Sequence, residues 1–227
     1  FAFDCEAELM KIARAAPGSR VVCRLLCDGD GADWPLSRKF GCSPELAERL
    51  MLMVSDLGLI PHGLAFHVGS QQPNPKMWDG ALENCGRMFR NLAEKGVQLN
   101  MVNLGGGFPA RYLKDVPEVG AYGDEISLSL KKHFGNRLPE TIIEPGRGLV
   151  GDAGVIQSEV VLISRKHDDD PVRWVYLDIG KFGGLAETID EAIRYPLKTP
   201  RDDAKLSSSS RLESKGDPLL SRCGCCC

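Results

Sequence analysis

The sequence predicts an α/β fold, in which part of a (β/α)8 TIM-type barrel is followed by the start of a β-rich domain. Short β-rich runs alternate with helical patterns up to about residue 152, although a complete barrel needs about 250 residues. After Gly154 the pattern changes to consecutive strands. We therefore expect a partial barrel over 1–152, the beginning of a sheet domain over 153–200 and a disordered or aberrant Ser/Cys-rich tail over 201–227.

Five segments of the expected barrel have the apolar and β-branched character of buried parallel strands. They are 1–4, 20–27, 63–68, 99–104 and 141–144. The spacing of apolar residues between them predicts helices over 6–16, 44–57, 75–95 and 124–134. Asp4 and Ser43 are the expected N-caps of the first two helices. In the second domain, strands are expected over 155–164 and 172–179.

The composition excludes several classes of protein. There are 28 basic and 31 acidic residues, so no surplus of positive charge is available for nucleic acid or an anionic membrane. No apolar run approaches the ~20 residues that a membrane span needs, and the first residues lack the pattern of a signal peptide. We expect a cytoplasmic protein. Because the chain begins inside a strand with Phe1, we also expect an internal fragment of a longer protein.

Three predicted strands end in segments that can carry chemistry. Parallel barrels place their active sites at the carboxyl ends of the strands. One strand leads into His67 and Ser70, the next into Gly105, Gly106 and Gly107, and the third into Glu144, Pro145, Gly146 and Arg147. Two glycine-rich turns on neighbouring strands allow main-chain N–H groups to approach one phosphate, although a glycine triplet alone can be only a tight loop.

His67 and Glu144 border the same expected pocket. His67 is either a core histidine or a flat ring placed against a planar cofactor. Glu144 follows two isoleucines, and an unpaired charge there is costly, so we expect a cationic partner. That partner is either Arg147 or the protonated ring nitrogen of a pyridine cofactor.

Together the segments 66–70, 103–109 and 144–148 resemble the fold type III pyridoxal-phosphate-dependent decarboxylases, the ornithine, lysine and diaminopimelate group. The resemblance extends over about residues 1–200 and implies an alanine-racemase-like barrel. Within the group, segments 35–41, 107–109 and 177–184 are most similar to bacterial ornithine/lysine decarboxylases.

The resemblance implies a role for each motif residue. His67 would stack on the ring of pyridoxal 5'-phosphate, and Glu144 would pair with its nitrogen, so these two are the expected catalytic residues. The phosphate would be held by the residues of the two turns, namely Ser70, Gly105, Gly106, Gly107, Pro145, Gly146 and Arg147. Asp190 and Glu191 fall where the family places an acid for the distal amine of the substrate, although a solvated surface pair is the alternative. The implied product is putrescine or cadaverine in polyamine biosynthesis, formed by a homodimer.

The sequence also departs from the family pattern. The family's cofactor-bonding lysine lies in a Tyr-Ala-Val-Lys-like motif on an early strand, and no such motif occurs here. Lys39 lies in a loop and Lys181 in the later domain, so we expect the chain to be inactive alone. The alternatives are a non-catalytic homologue that regulates a decarboxylase or binds another partner, and another phosphate-binding barrel enzyme.

Overall fold

The computed structural model describes residues 1–35, 39–200 and 202, and these residues form two compact units. The first unit comprises Phe1–Arg111 and Asp115–Ala153. The second comprises Tyr112–Lys114 and the described residues from Gly154 onward. The predicted tail, apart from residue 202, lies outside the described residues.

The first unit is built on a five-stranded parallel sheet whose strand order follows the chain. The strands are β1 (Ala2–Phe3), β2 (Arg20–Arg24), β3 (Ile60–Ala65), β4 (Met101–Asn103) and β5 (Glu140–Ile142). The helices that connect them are α1 (Glu6–Ala15), α2 (Pro44–Met53), α3 (Met77–Glu94) and α4 (Val119–Phe134), and α5 (Gly146–Val150) follows β5. This strand–helix repeat confirms the predicted partial barrel, including the parallel pairing of β4 with β5.

The core of the first unit lies between the sheet and the helices. Cys23, Leu64 and Val102 are in register on three neighbouring strands, and all three are fully buried. They pack in one cluster with apolar residues of the helices, including Leu50 and Leu82. The sheet is therefore anchored through its helix-facing side, which leaves the carboxyl ends of the strands to carry loops.

Two helix starts differ in how well the sequence predicts them. Ser43 caps α2 as expected, because its Oγ accepts the Leu46 N–H at 3.2 Å. The prediction for Asp4 is wrong: Cys5 precedes α1, and Asp4 Oδ2 instead accepts the Gly41 N–H at 2.8 Å. This partner is distant in sequence, so the contact that redirects Asp4 is tertiary.

Helix α4 begins at Val119, five residues before the predicted start. The added turn contains two glycines, which disfavour a helix. It is stabilised by Tyr122, which is buried and whose hydroxyl donates to the Gln72 carbonyl at 2.9 Å. Tertiary packing therefore overrides the local propensity.

Helices α3 and α4 are joined by a polar cluster around Asp79. Its carboxylate accepts hydrogen bonds from Ser129 Oγ and Lys132 Nζ, both at 2.8 Å, and lies 2.9 Å from His133 Nε2. The Lys132 ammonium, followed by Ser129 and His133, holds the pKa of Asp79 well below its usual value. None of the helices in the described part of the chain has the length and apolar character needed to span a membrane.

The second unit contains an antiparallel pair, β6 (Val160–Ser164) with β7 (Trp174–Leu177). Both strands are shorter than predicted. The Asp178 carboxylate ties the pair together, because it accepts the Ser158 hydroxyl at 2.6 Å and the Glu159 N–H at 2.9 Å. A short 3-10 helix, Ala186–Glu191, follows.

Candidate active site

The loops that leave β3, β4 and β5 are joined to one another by main-chain hydrogen bonds beyond the ends of the strands. Leu104 N–H donates to the Ile142 carbonyl, and Glu144 N–H donates to the Gly105 carbonyl, both at 2.8 Å. Gln72 N–H donates to the Gly107 carbonyl, also at 2.8 Å. The three sequence motifs therefore lie side by side at the carboxyl edge of the sheet.

His67 is half-buried, and its protonation state is set by its surroundings. The Gly69 N–H donates to its Nδ1 at 3.0 Å, which requires a lone pair on Nδ1 and leaves the proton on Nε2. Burial, followed by the positive charge of Arg24, lowers the pKa of His67, while the Glu144 carboxylate opposes this shift. His67 is therefore held as a neutral ring in one tautomer.

Close packing of the loops requires the glycine triplet. A Cβ on Gly105, whose φ is +65°, would collide with the Phe66 carbonyl oxygen. A Cβ on Gly106 would lie 2.7 Å from the Glu144 carbonyl oxygen and 3.0 Å from His67 Nε2. At Gly107, with φ +107°, it would lie 2.6 Å from the Gly69 carbonyl oxygen. The glycines thus allow three backbones to meet.

Hydrogen-bond donors remain available at this junction. Among the described residues, the N–H groups of Gly106 and Gly107 have no hydrogen-bond acceptor. Arg147 Nε donates to Ser70 Oγ at 3.2 Å. The motif after β3 and the motif after β5 therefore meet through these two side chains. Main-chain N–H groups together with a guanidinium and a hydroxyl are suited to bind a phosphate.

The segment around Gly146 differs from the expected turn, because Gly146–Val150 forms the short helix α5. Pro145 precedes it, and a Cβ on Gly148 would lie 3.1 Å from Phe108. The N–H groups of the first helical turn lack partners within the helix, so these residues can still donate to an anion. The short helix keeps Gly148 against Phe108, the residue after the glycine triplet, and Arg147 against Ser70.

Glu144 is exposed and contacts an amide. Its Oε1 accepts a hydrogen bond from Asn103 Nδ2 at 2.7 Å. Among the described residues it forms no ion pair. The expectation that Arg147 pairs with Glu144 is therefore wrong, because a solvated carboxylate does not need a cation. The other expected partner, a protonated ring nitrogen, stays a prediction.

Two site residues escape the sequence analysis. Asn103 bridges Glu144 and the glycine loop, since its Oδ1 also accepts the Gly105 N–H at 2.9 Å. Gln71, a non-glycine residue with φ +57°, joins two loops by donating to the Ala110 carbonyl at 2.6 Å and accepting the Ala110 N–H at 3.0 Å. A polar residue directly beside a functional motif is the signal that could have indicated both.

The remaining predicted site residues lie in the second unit. Asp190 and Glu191 end the 3-10 helix Ala186–Glu191. Their role toward a substrate stays a prediction.

The donors and the ring-bordering residues of the first unit fit a flat molecule that carries a phosphate. Gly106, Gly107, Ser70 and Arg147 provide donors, and His67 and Glu144 lie beside them. These N–H, hydroxyl and guanidinium donors can bind an anion directly.

Comparison with known proteins finds a family whose domain binds a ring of this kind, pyridoxal. Residues 1–151 match a family described as "Pyridoxal-dependent decarboxylase, pyridoxal binding domain". The chain is 31% identical over 202 residues to a lysine/ornithine decarboxylase of Selenomonas ruminantium, covering 87% of this chain and 49% of the relative. It is 28% identical to antizyme inhibitor 2 of Xenopus laevis, covering 92% of this chain and 48% of the relative.

A solved structure agrees with these relatives. Lysine/ornithine decarboxylase of Vibrio vulnificus, complexed with cadaverine, is 28% identical with a TM-score of 0.74, over 88% of this chain and 50% of that chain. The chain spans about half the length of the curated relatives that it matches. Because the family match covers most of the first unit and carries the three motifs, the chain belongs to the pyridoxal-dependent decarboxylases.

Proposed function

We propose that the full-length protein is a pyridoxal-phosphate-dependent decarboxylase of a basic amino acid, with ornithine or lysine as substrate and putrescine or cadaverine as product. The observation that carries the proposal is the junction of three loops, where unpaired main-chain donors lie beside Ser70, Arg147 and the neutral ring of His67. The names of the Selenomonas and Vibrio relatives support the substrate class.

The phosphate of the cofactor would be held at the glycine junction. Gly106 and Gly107 offer N–H groups without an acceptor among the described residues, and Gly105 keeps the loop close to its neighbours. Ser70 and Arg147 would add a hydroxyl and a guanidinium, and Pro145 and Gly146 set the start of α5. The hydrogen bonds from the charged Arg147 guanidinium to the phosphate would be stronger than those from the neutral donors.

The ring of the cofactor would lie between His67 and Glu144. When bound, pyridoxal phosphate supplies a ring that takes up the electron pair left by departing carbon dioxide. Glu144 would hold a proton on the ring nitrogen, and this assistance acts mainly in the transition state. His67 would cover the ring as a neutral group, because its Nδ1 lone pair is engaged by the Gly69 N–H at 3.0 Å.

Further parts of the proposal concern the substrate and the assembly. We propose that Asp190 or Glu191 binds the distal ammonium group of the substrate, which opposite charge favours. We also propose a cytoplasmic homodimer, for which the family resemblance is the support.

Carbon dioxide release from labelled ornithine, lysine and diaminopimelate by the full-length holoenzyme tests the proposal. We expect release from ornithine or lysine. The Glu144→Gln variant should lose about a hundredfold or more in kcat with little change in cofactor affinity, because it removes the proton-holding charge. Glu140→Gln is the matched control, since Glu140 is also exposed but begins β5, whereas Glu144 lies beyond the other end of that strand. Weaker cofactor binding with unchanged turnover per bound cofactor would contradict the role of Glu144.

A second candidate is a non-catalytic relative that regulates a decarboxylase, which the similarity to antizyme inhibitor 2 supports. Strands β1 and β2 contain no lysine, and the lysines at 11, 95 and 132, which lie on helices or directly after one, form ion pairs. On this ground we propose that the 227 residues are inactive by themselves.

Borohydride reduction of the full-length protein with pyridoxal phosphate, followed by peptide mapping, distinguishes the two candidates. One stoichiometrically labelled lysine supports the enzyme. Absence of labelling and of carbon dioxide release supports the regulatory relative. Labelling within the 227-residue chain together with activity would overturn its proposed inactivity.

A further inference from the structure

Asn103, the last residue of β4, contacts two parts of the candidate site at once. Its Oδ1 accepts the Gly105 N–H at 2.9 Å, and its Nδ2 donates to Glu144 Oε1 at 2.7 Å. In the sheet it is in register with Ala65 of β3 and Ile142 of β5. It therefore stands at the end of the central strand of the three whose loops form the site.

The glycine loop fixes the orientation of this amide. A main-chain N–H can only donate, so the atom that faces Gly105 must be the amide oxygen. The NH2 group is thereby turned toward Glu144, where it donates to a carboxylate oxygen. An aspartate has nearly the same shape but would place a second negative oxygen there, and two carboxylates in contact resist being charged together.

The backbone of Glu144 is already held, whereas its side chain depends on Asn103. The Glu144 N–H donates to the Gly105 carbonyl at 2.8 Å. The side chain is exposed and has no second hydrogen-bond partner in the described part of the chain. Its titratable neighbour is His67 of the loop after β3, on which Arg24 of β2 also acts. Without Asn103 the carboxylate would be free to rotate into solvent.

We propose that Asn103 is a positioning residue, which holds the Glu144 carboxylate in one orientation and links it to the glycine loop. This inference rests on the proposed function. The amide would act only through Glu144 and would not touch the reacting atoms. Partners that orient a functional group in this way typically contribute about tenfold to a hundredfold to activity.

Asn103→Asp in the full-length holoenzyme is the primary test. We expect kcat to fall about tenfold to a hundredfold at neutral pH, with KM changed less than about twofold. The acid limb of the kcat profile should move, because the variant introduces a second titratable carboxyl group in contact with the Glu144 side chain. Asn103→Ala should lower kcat without moving this limb, since it adds no charge, and it serves if the aspartate variant does not fold.

Asn100→Asp is the matched control. Asn100 lies just before β4, is exposed, and its side chain makes no hydrogen bond within the described residues. The variant adds the same charge at the opposite end of the strand, and we expect wild-type kcat and pH profile. Equal behaviour of Asn103→Asp and the control would overturn the proposal. So would weaker cofactor binding with unchanged turnover per bound cofactor, which indicates an effect on the glycine loop alone.

A measurement without cofactor separates this inference from the proposed function. The side-chain amide protons of Asn103, followed by NMR in the apoprotein, should shift when Glu144 is replaced in Glu144→Gln and stay unchanged in Glu140→Gln. Absence of this shift refutes the positioning contact. Absence of carbon dioxide release by the wild-type holoenzyme refutes the proposed function instead.

Discussion

Replacing Gly106 with alanine tests whether close packing of the three loops shapes the cofactor site. The added Cβ would lie 2.7 Å from the Glu144 carbonyl oxygen and 3.0 Å from His67 Nε2, both shorter than ordinary contacts. The carbonyl belongs to the backbone, which is held close to the glycine loop because the Glu144 N–H donates to the Gly105 carbonyl at 2.8 Å. The loops must separate to admit the methyl group.

Overpacking of this kind costs about 1–3 kcal/mol. The unliganded protein can relax the strain by opening the junction, whereas the bound state needs it closed. The dissociation constant for pyridoxal phosphate should therefore rise about 5- to 150-fold. Fluorescence titration of the full-length apoprotein measures this constant, and a thermal melt shows whether the variant is folded.

Gly80→Ala is the control, because nothing lies within 4 Å of a Cβ at this exposed position of α3. Alanine should stabilise the helix by up to about 1 kcal/mol and leave cofactor affinity unchanged. If Gly106→Ala binds the cofactor within about twofold of wild type, the loops do not form the site as we describe.

Three further outcomes are expected. Burial, followed by the Arg24 guanidinium, lowers the pKa of His67. The stability that the neutral His67 ring contributes should therefore be complete above about pH 6.5 and decrease as the pH falls below it. Thermal melts of His67→Gln over the same pH range should lack this decrease. Trp78→Phe should cost about 1–3 kcal/mol in urea unfolding, because the buried Leu104 carbonyl loses its 3.2 Å donor. Asp79 has a lowered pKa chiefly because of Lys132, so its stabilising effect should be lost as the pH falls below about 4, and Asp79→Asn should show no such acid dependence.

The strands and helices of the first unit could be predicted because their signals are local. Apolar periodicity and the Ser43 cap locate α2, and the glycine triplet marks the end of β4. The boundaries of β3 are less predictable: the expected strand 63–68 is found at Ile60–Ala65. Phe66 and Val68, which follow Ala65, are still apolar and buried, so the composition does not reveal where strand pairing ends.

The chemistry of the site was only partly predictable. The motifs indicate which residues meet, but the partner of Glu144 depends on where β4 lies beside β5. Asn103 became visible as its donor only in three dimensions, since the two are far apart in sequence. The role of Asp4 is unpredictable for the same reason, because the Gly41 N–H that its carboxylate accepts is distant in sequence.

The order of the strands also bears on how this unit is made. Every strand pairs with the next one along the chain, and each residue finds its partner within about 40 positions, as Gly63 does with Met101. A polypeptide emerging from the ribosome could therefore add one strand and one helix at a time to an edge already formed. Short separations of this kind favour rapid assembly. Within this five-stranded sheet, the strands are therefore synthesised in the order in which they pair.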